Sequence, residues 1–402
     1  MQREFKMKRK ITEISVYEFF MCMFVITIHL MSEGVEQFTR WSVSSIAFLT
    51  ITKMITFAVP GFVFTSAIKL FYNYGDKKLN YPKFLLGRLL KIYVPYVIAV
   101  LIYYLVFVFI LKLEGYESFE LKQLGSYILT GDISAQFYFV ILIVQFYILM
   151  PLWVLIGKIK SNIFAVAMLA VSLAVTILSR LYFPQIAASV LGWAGSFNLP
   201  FDNPLRDYDT VNNLVQLATY TNKSLTSYLV FWVSGMYIGM NYDKFNEVID
   251  TAKPVLYIGW LVLTVAHCIL SYMKLCGIIR YTYEPVIVVL FCLFAIFGFY
   301  IYANNLTISL EKRGKGFLSS IANASYDIYL IHCLVITVVY YYMKQADIDG
   351  IMTRFWISAG ITYVFSIVFC VIEATIQNNI RMKHRRKSAE SARKAARRKR
   401  YL

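Results

Sequence analysis

Charge is scarce in this sequence. Asp, Glu, Lys and Arg make up 16% of its 402 residues, where a soluble globular domain carries about a quarter. Hydrophobic residues reach 59% and the mean hydropathy is +0.59, which excludes an ordinary soluble domain. Cysteines are few. The six of them (Cys22, Cys268, Cys276, Cys292, Cys333 and Cys370) lie mostly in apolar runs without metal-site spacing, so they read as small buried hydrophobes and not as disulfides or metal ligands. No 20–50-residue repeat is visible, which excludes a solenoid. A Ser-His-Asp constellation, a phosphate loop and a zinc motif are also missing. The first apolar run lacks a small-residue cleavage site, so it is expected to be a retained span and not a signal peptide.

What the chain does have is long apolar runs. Segments near the roughly 20 residues needed to cross a bilayer fall at about 14–31, 45–72, 92–111, 137–157, 163–183, 225–241, 254–274, 284–303, 318–343 and 355–377. The reading is an all-α integral membrane protein with about ten transmembrane helices. It divides into a basic N-terminus (1–13), a membrane domain (14–377) and a polybasic tail (378–402). Aromatics at 17%, with 31 Tyr and 31 Phe, suit interfacial anchors and a packed bundle.

The net charge of +17 reads as topology and contact with anionic lipid. Nucleic acid is not needed to explain it. Counted through ten spans, one side receives the N-terminal cations, the 73–91 loop (Lys77, Lys78, Lys83, Arg88, Lys91), the 158–162 turn, the 304–317 loop and the tail. The acidic loops at Glu33 and Glu36, at 114–120, at 202–209 and at 347–349 fall on the other. The positive-inside rule then expects both termini in the cytoplasm, with Lys274 and Arg280 against the trend. The connection at 184–223, rich in Asn, Asp and Pro, reads either as a carbohydrate-facing loop or as an external connection without function.

Four stretches hold polar groups where chemistry would sit. The first span carries Glu18 and His29, eleven residues and about 16 Å of helix rise apart on one face. Ionisable groups inside a span usually face the bundle interior and are functional, while a His at the lipid–water boundary does nothing. Arg88 and Lys91 share a face entering the third span, below Pro95. They read either as positive-inside flanks or as receptors for a phosphorylated ligand. In QFYFVILIVQFYILMPLW, Gln145 lies mid-span and needs a partner. In SYDIYLIH, His332 follows Asp327 by five residues, off its face.

Together and in order, these stretches resemble the membrane-bound acyltransferase family three. The resemblance rests on ITEISVYEFFMCMFVITIH, VPGFVFTS, GRLLKIYVPY, QFYFVILIVQFYILMPL, FWVSGMYIGMNYDKF and SYDIYLIH, over about residues 11–375. Within the family the chain is most similar to Gram-positive exopolysaccharide O-acyltransferases, the poly-N-acetylglucosamine O-succinyltransferase among them. The resemblance implies a multi-pass enzyme of the bacterial cytoplasmic membrane, with no bound cofactor and no metal. It would move an acetyl or succinyl group from cytosolic acyl-coenzyme A onto hydroxyls of a surface glycan. It also implies that His29 is catalytic and that Arg88, helped by Lys91, holds the donor. Glu18, Tyr138, Gln145, Tyr329 and His332 are expected, by position, to line the cavity. The family's arginine eleven positions before the histidine is Glu18 here, its frequent His or Trp near QFYF is Gln136 or Phe137, and its Gly before IYLIH is Asp327. A sugar exporter or flippase, and a catalytically degenerate family member, are the competing readings.

Overall fold

The computed structural model describes residues 12–39, 42–74, 79–196, 223–279, 284–311 and 316–398. The basic N-terminus before Thr12, Lys77 and Lys78, the acidic segment 202–209, Arg280 and the cations of 312–315 lie outside the described residues, as do the side chains of Glu33, Glu36 and the tail.

All regular structure among the described residues is helical. Eight helices are long and apolar enough to cross a membrane. A ninth candidate is a bent pair, Leu121–Thr130 with Ala135–Ile148, whose halves meet at 52°. The expected span at 225–241 is a shorter apolar helix, Leu225–Met240. Ten spans were expected, and two of them differ: the one at 137–157 is divided at Leu149 into Tyr138–Ile148 and Met150–Gly157, the first of these forming the bent pair, and the one at 225–241 is shortened. At the bend, Gly131 adopts φ +74 and caps the preceding helix through its N–H to the Tyr127 carbonyl (2.8 Å), a left-handed turn that Gly enters without steric cost. The other is cut short by a 3-10 turn, Leu225–Tyr228, ahead of its α-helical part.

Helix α1 (Thr12–Gln37) is the hub. It packs against α2 (Val43–Met54), α3 (Ala58–Tyr74), α12 (Glu284–Glu311), α13 (Gly316–Gln345) and α14 (Ile351–Arg398). That position explains its composition. Ile14, Tyr17, Met21, Cys22 and Ile26 are wholly buried, so a polar group on α1 meets protein, not lipid. The third span begins as α4 (Tyr81–Arg88), passes through a π-helical segment, Leu89–Tyr93, and continues as α5 (Val94–Leu105). The wide turn lies just before Pro95, which lacks an N–H and crowds the carbonyl four residues back.

Next come α6 (Leu121–Thr130), α7 (Tyr138–Ile148), α8 (Met150–Gly157), α9 (Asn162–Ser196), α10 (Leu229–Met240) and α11 (Tyr242–Leu275). Helix α9 runs on through 184–196, where a loop was expected, and the rest of that connection up to 222 is outside the described residues. Helix α14 continues through residue 378 to Arg398 without a break, so the boundary drawn between membrane domain and tail is not a change of secondary structure. Helices α3 and α10 meet at Gly235 and Gly239. A Cβ at Gly235 would sit 2.3 Å from the Phe64 carbonyl oxygen, and one at Gly239 would sit 2.7 Å from that of Ile68. This small-xxx-small seam lets two backbones touch.

Candidate functional site

Helices α1 and α13 lie side by side in parallel register. The Cys22 thiol donates to the Ser325 carbonyl (3.3 Å), and seven residues further on in both helices His29 meets His332, with ring centroids 5.3 Å apart. His332 is completely buried. Its Nδ1 lies 3.2 Å from the Ile328 carbonyl, an acceptor only, so Nδ1 carries the hydrogen and Nε2 keeps a lone pair. The Cys333 Sγ is 3.3 Å from that Nε2. His29, His332 and Cys333 are also the one group of His, Cys, Asp or Glu residues among those described whose donor atoms all fall within 4.8 Å.

A cavity of about 430 Å³ opens below this pair. Its polar wall is made of Glu18, Ser66, Lys69, Asn73, Arg88 and Lys91, and its apolar wall includes Phe139, Ile143 and Tyr147 of α7. Tyr326 and Tyr329 of α13 close it. Tyr329 precedes His332 by three residues, so the top of the cavity is one helical turn, about 4.5 Å of rise, from the histidine pair. Arg88 is held over the rings of Phe84 (5.4 Å) and Tyr147 (5.6 Å), contacts that fix a guanidinium by cation–π attraction.

Glu18 is not a lone anion. Lys69 of α3 donates to its Oε2 at 2.6 Å, so the carboxylate is neutralised inside the bundle. The cavity therefore presents three cations, Lys69, Arg88 and Lys91, against one carboxylate. That arrangement favours an anion with several charges, a phosphate group above all.

The expected lining residues divide. Glu18 and Tyr329 line this cavity, while Tyr138, Gln145 and His332 do not. Tyr138 faces a separate pocket at the other end of α7. Gln145 is taken up by backbone: its Nε2 donates to the Lys223 carbonyl (2.6 Å) and its Oε1 accepts from the Leu225 N–H (3.1 Å). The mid-span amide found its partner in the segment before α10, which leaves it no hydrogen-bonding role in the cavity.

Two further residues surround the pair: Tyr103, which the sequence did not single out, and Gln136, noted there only as a departure from the family pattern. The Tyr103 hydroxyl donates to the Leu330 carbonyl (3.0 Å) and accepts from the Leu334 N–H (2.8 Å). It thus bridges the helix step that brackets His332 and Cys333, a side chain inserted into the backbone ladder. Gln136, 1% exposed, donates from Nε2 to the same hydroxyl at 2.9 Å, and its backbone carbonyl accepts the Tyr329 hydroxyl. Only the fold shows that the two hold the turn of α13 carrying His332.

Among known proteins, a family model described as an acyltransferase domain, that of acyltransferase family three, matches residues 13–373. No curated protein and no solved structure matches the chain.

Proposed function

The chain belongs to acyltransferase family three, and on that premise we propose that it moves an acetyl or succinyl group from acyl-coenzyme A to a hydroxyl of a cell-surface polysaccharide. The observation that supports this reading is the adjacency of the cationic cavity to the histidine pair: Tyr329, in the cavity wall, lies one helical turn before His332, their ring centroids 6.0 Å apart. The phosphates of a coenzyme A thioester fit the end lined by Lys69, Arg88 and Lys91. The other end, at Tyr329, brings a thioester carbonyl within reach of His29 and His332. By the positive-inside reading the cationic end faces the cytoplasm, where acyl-coenzyme A is found. The protein is then a multi-pass component of a bacterial cytoplasmic membrane with both termini inside, the tail lies against anionic lipid, and the acceptor arrives from the opposite face.

A sugar hydroxyl is a poor nucleophile at neutral pH and needs a base near that pH, which a histidine supplies. In the proposed step the sugar oxygen attacks the thioester carbonyl while His29 takes its proton. The tetrahedral centre collapses with cleavage of the carbon–sulfur bond. The departing thiolate recovers a proton from the His29 imidazolium, leaving ester and free coenzyme A thiol. His332, with its Nε2 lone pair in the same cluster, faces the imidazolium formed in this step and orients it.

Donor binding gives a kinetic prediction. Arg88→Ala removes a charge-assisted contact worth about 1.5–3 kcal/mol, so the KM for acetyl-coenzyme A rises roughly 10- to 100-fold while kcat stays within a few-fold. Steady-state assays on protein in nanodiscs read this directly. A fall in kcat at unchanged KM would place Arg88 in the chemical step and contradict its assignment to donor binding.

The pair Glu18–Lys69 gives another. Glu18→Lys sets two ammonium groups against each other beside α1 and is expected to reduce transfer and the amount of protein in the membrane. Adding Lys69→Glu restores the ion pair in reverse and recovers both. If the double variant is no better than Glu18→Lys, pairing with Lys69 is not what position 18 contributes.

A further inference from the structure

A second pocket, of about 410 Å³, lies at the N-terminal end of α7, with Asp132, Ser134, Ala135, Tyr138, Lys223 and Tyr228 in its wall. It is at the opposite end of α7 from the arginine-bearing segment, because the Ile148 carbonyl that ends α7 accepts the Tyr81 hydroxyl at the start of α4 (2.9 Å). The two cavities share a thin partition. Phe139 faces the cationic cavity while Tyr138 faces the second pocket.

The partition is centred on Gln136. The Ser134 hydroxyl, in the second pocket, donates to the Gln136 Oε1 at 2.6 Å. The Gln136 Nε2 donates to the Tyr103 hydroxyl, which is bonded to both sides of the α13 turn that carries His332. The Gln136 carbonyl accepts from Tyr329, which lines the cationic cavity. One buried residue thus links the three: its side chain bonds Ser134 of the second pocket and, through the Tyr103 hydroxyl, the turn of His332, while its backbone carbonyl bonds Tyr329 of the first cavity.

The walls of the second pocket are fixed by other contacts. Lys223, 9% exposed, donates to the Thr130 carbonyl (3.0 Å) and pairs with Asp132. The Arg180 guanidinium sits 4.9 Å from the Tyr228 ring centroid, and its Nε donates to the Ser227 carbonyl (2.9 Å). Gly131 closes the turn so tightly that a Cβ there would lie 3.1 Å from the Phe137 carbonyl. Such a pocket needs little reordering to bind.

Its electrostatics differ from those of the first cavity. There, three cations face one carboxylate. Here Asp132 and Lys223 neutralise each other, two tyrosines add aromatic surface with polar tips, and the pocket wall carries hydroxyls, a carboxylate and an ammonium. The Arg180 guanidinium stands behind the Tyr228 ring and not in the pocket wall, so an anion gains less here than in the first cavity. An uncharged ligand rich in hydroxyl groups gains both donors and acceptors, and ring faces against which its carbon skeleton packs.

We infer that the second pocket is the acceptor site, and that the unit it recognises is an uncharged, hydroxyl-rich sugar residue reaching the histidine pair from the side opposite the donor. This inference rests on the acyl-transfer reading above.

The test uses the full-length protein in nanodiscs, acetyl-coenzyme A as donor and a soluble N-acetylglucosamine tetramer as probe acceptor. Tyr138→Ala and Tyr228→Ala are each expected to raise the KM for the tetramer about tenfold and to leave that for acetyl-coenzyme A within twofold. Tyr228→Phe, which keeps the ring and loses the hydroxyl, should raise the tetramer KM less than Tyr228→Ala does. Tyrosine variants that shift the donor KM instead, or that leave the acceptor KM unchanged, would overturn the assignment. Saturation-transfer NMR of tetramer binding, without donor, gives a readout independent of turnover. Binding that is present in the parent and lost in both alanine variants supports a sugar site, and absent or unaltered binding refutes it. If the parent protein turns over no thioester at all, acyl transfer fails as a reading, and the binding result still decides whether this pocket takes a sugar.

Discussion

Cells carrying His29→Ala are expected to display surface polysaccharide without its ester groups, in normal amount and with the variant protein present in the membrane. A positioned base contributes about 10²–10⁴ in rate, enough to take ester content below detection in most glycan assays. The reasoning is local. His29 is the hub-helix residue that meets the buried His332, on the turn held by Tyr103 and one turn beyond the cationic cavity's Tyr329. Asparagine at the same position, which keeps a hydrogen-bonding side chain but not the basicity, should be nearly as inactive. Retained esters with lost export would instead favour a sugar transporter, the class that best competes for a polar stripe inside a helix bundle.

The largest structural effect is expected at Gly235. A Cβ there would lie 2.3 Å from the Phe64 carbonyl oxygen and 2.9 Å from the Ala67 Cβ. The nearest of these atoms is backbone, so no side chain can swing away, and α3 and α10 must separate. Overpacking of this kind costs on the order of 1–3 kcal/mol and sometimes more. Because α3 carries Lys69 on its opposite run, the displacement also reaches the donor cavity. Gly235→Leu should lower the melting temperature of the detergent-solubilised protein and reduce its level in the membrane. Gly360→Ala in α14 is the control, since a Cβ at that position meets nothing within 4 Å and Ala is the better helix former. Equal melting temperatures for Gly235→Leu and the parent would show that the α3–α10 seam tolerates separation.

Much of the fold was legible because a bilayer imposes its thickness on sequence. Eight of the expected spans reappear as long apolar helices at nearly their expected places. Of the remaining two, the span expected at 137–157 is divided at Leu149 into α7 and α8, with α7 paired across the Gly131 bend to α6, and the one expected at 225–241 is shortened by the turn before Leu229. Register between helices was not legible. Glu18 and Lys69 are 51 residues apart, and His29 and His332 are 303 apart, and no periodicity within one helix specifies which neighbour it meets. For the same reason Glu18 looked like an isolated anion in the place of a family arginine, whereas the fold supplies the missing cation from α3. Gln145 shows the converse. Its need for a partner was correctly read, but its position mid-span gave no sign that the partner would be the backbone at 223–225.

Tyr103 and Gln136 were the least visible. One stands in an apolar run and the other at the start of one, and their importance lies in bonding to a helix turn of another segment. Neither spacing nor composition encodes that. The site is therefore better described as a meeting of three helices, α1, α5 and α13, and the broken span at 121–148 than as any motif along the chain.

In the proposed reaction acyl groups pass from a donor on the cationic side, past the histidine pair, to a sugar on the other side. Its most direct test is sidedness in liposomes containing the full-length protein in one known orientation, with acyl-labelled acetyl-coenzyme A and an N-acetylglucosamine tetramer supplied on opposite faces. Labelled tetramer is expected only when the donor is on the face that exposes Arg88 and Lys91, and none from His29→Ala. Label transferred with the donor on the other face, or by His29→Ala at the parent rate, would contradict the proposed reaction.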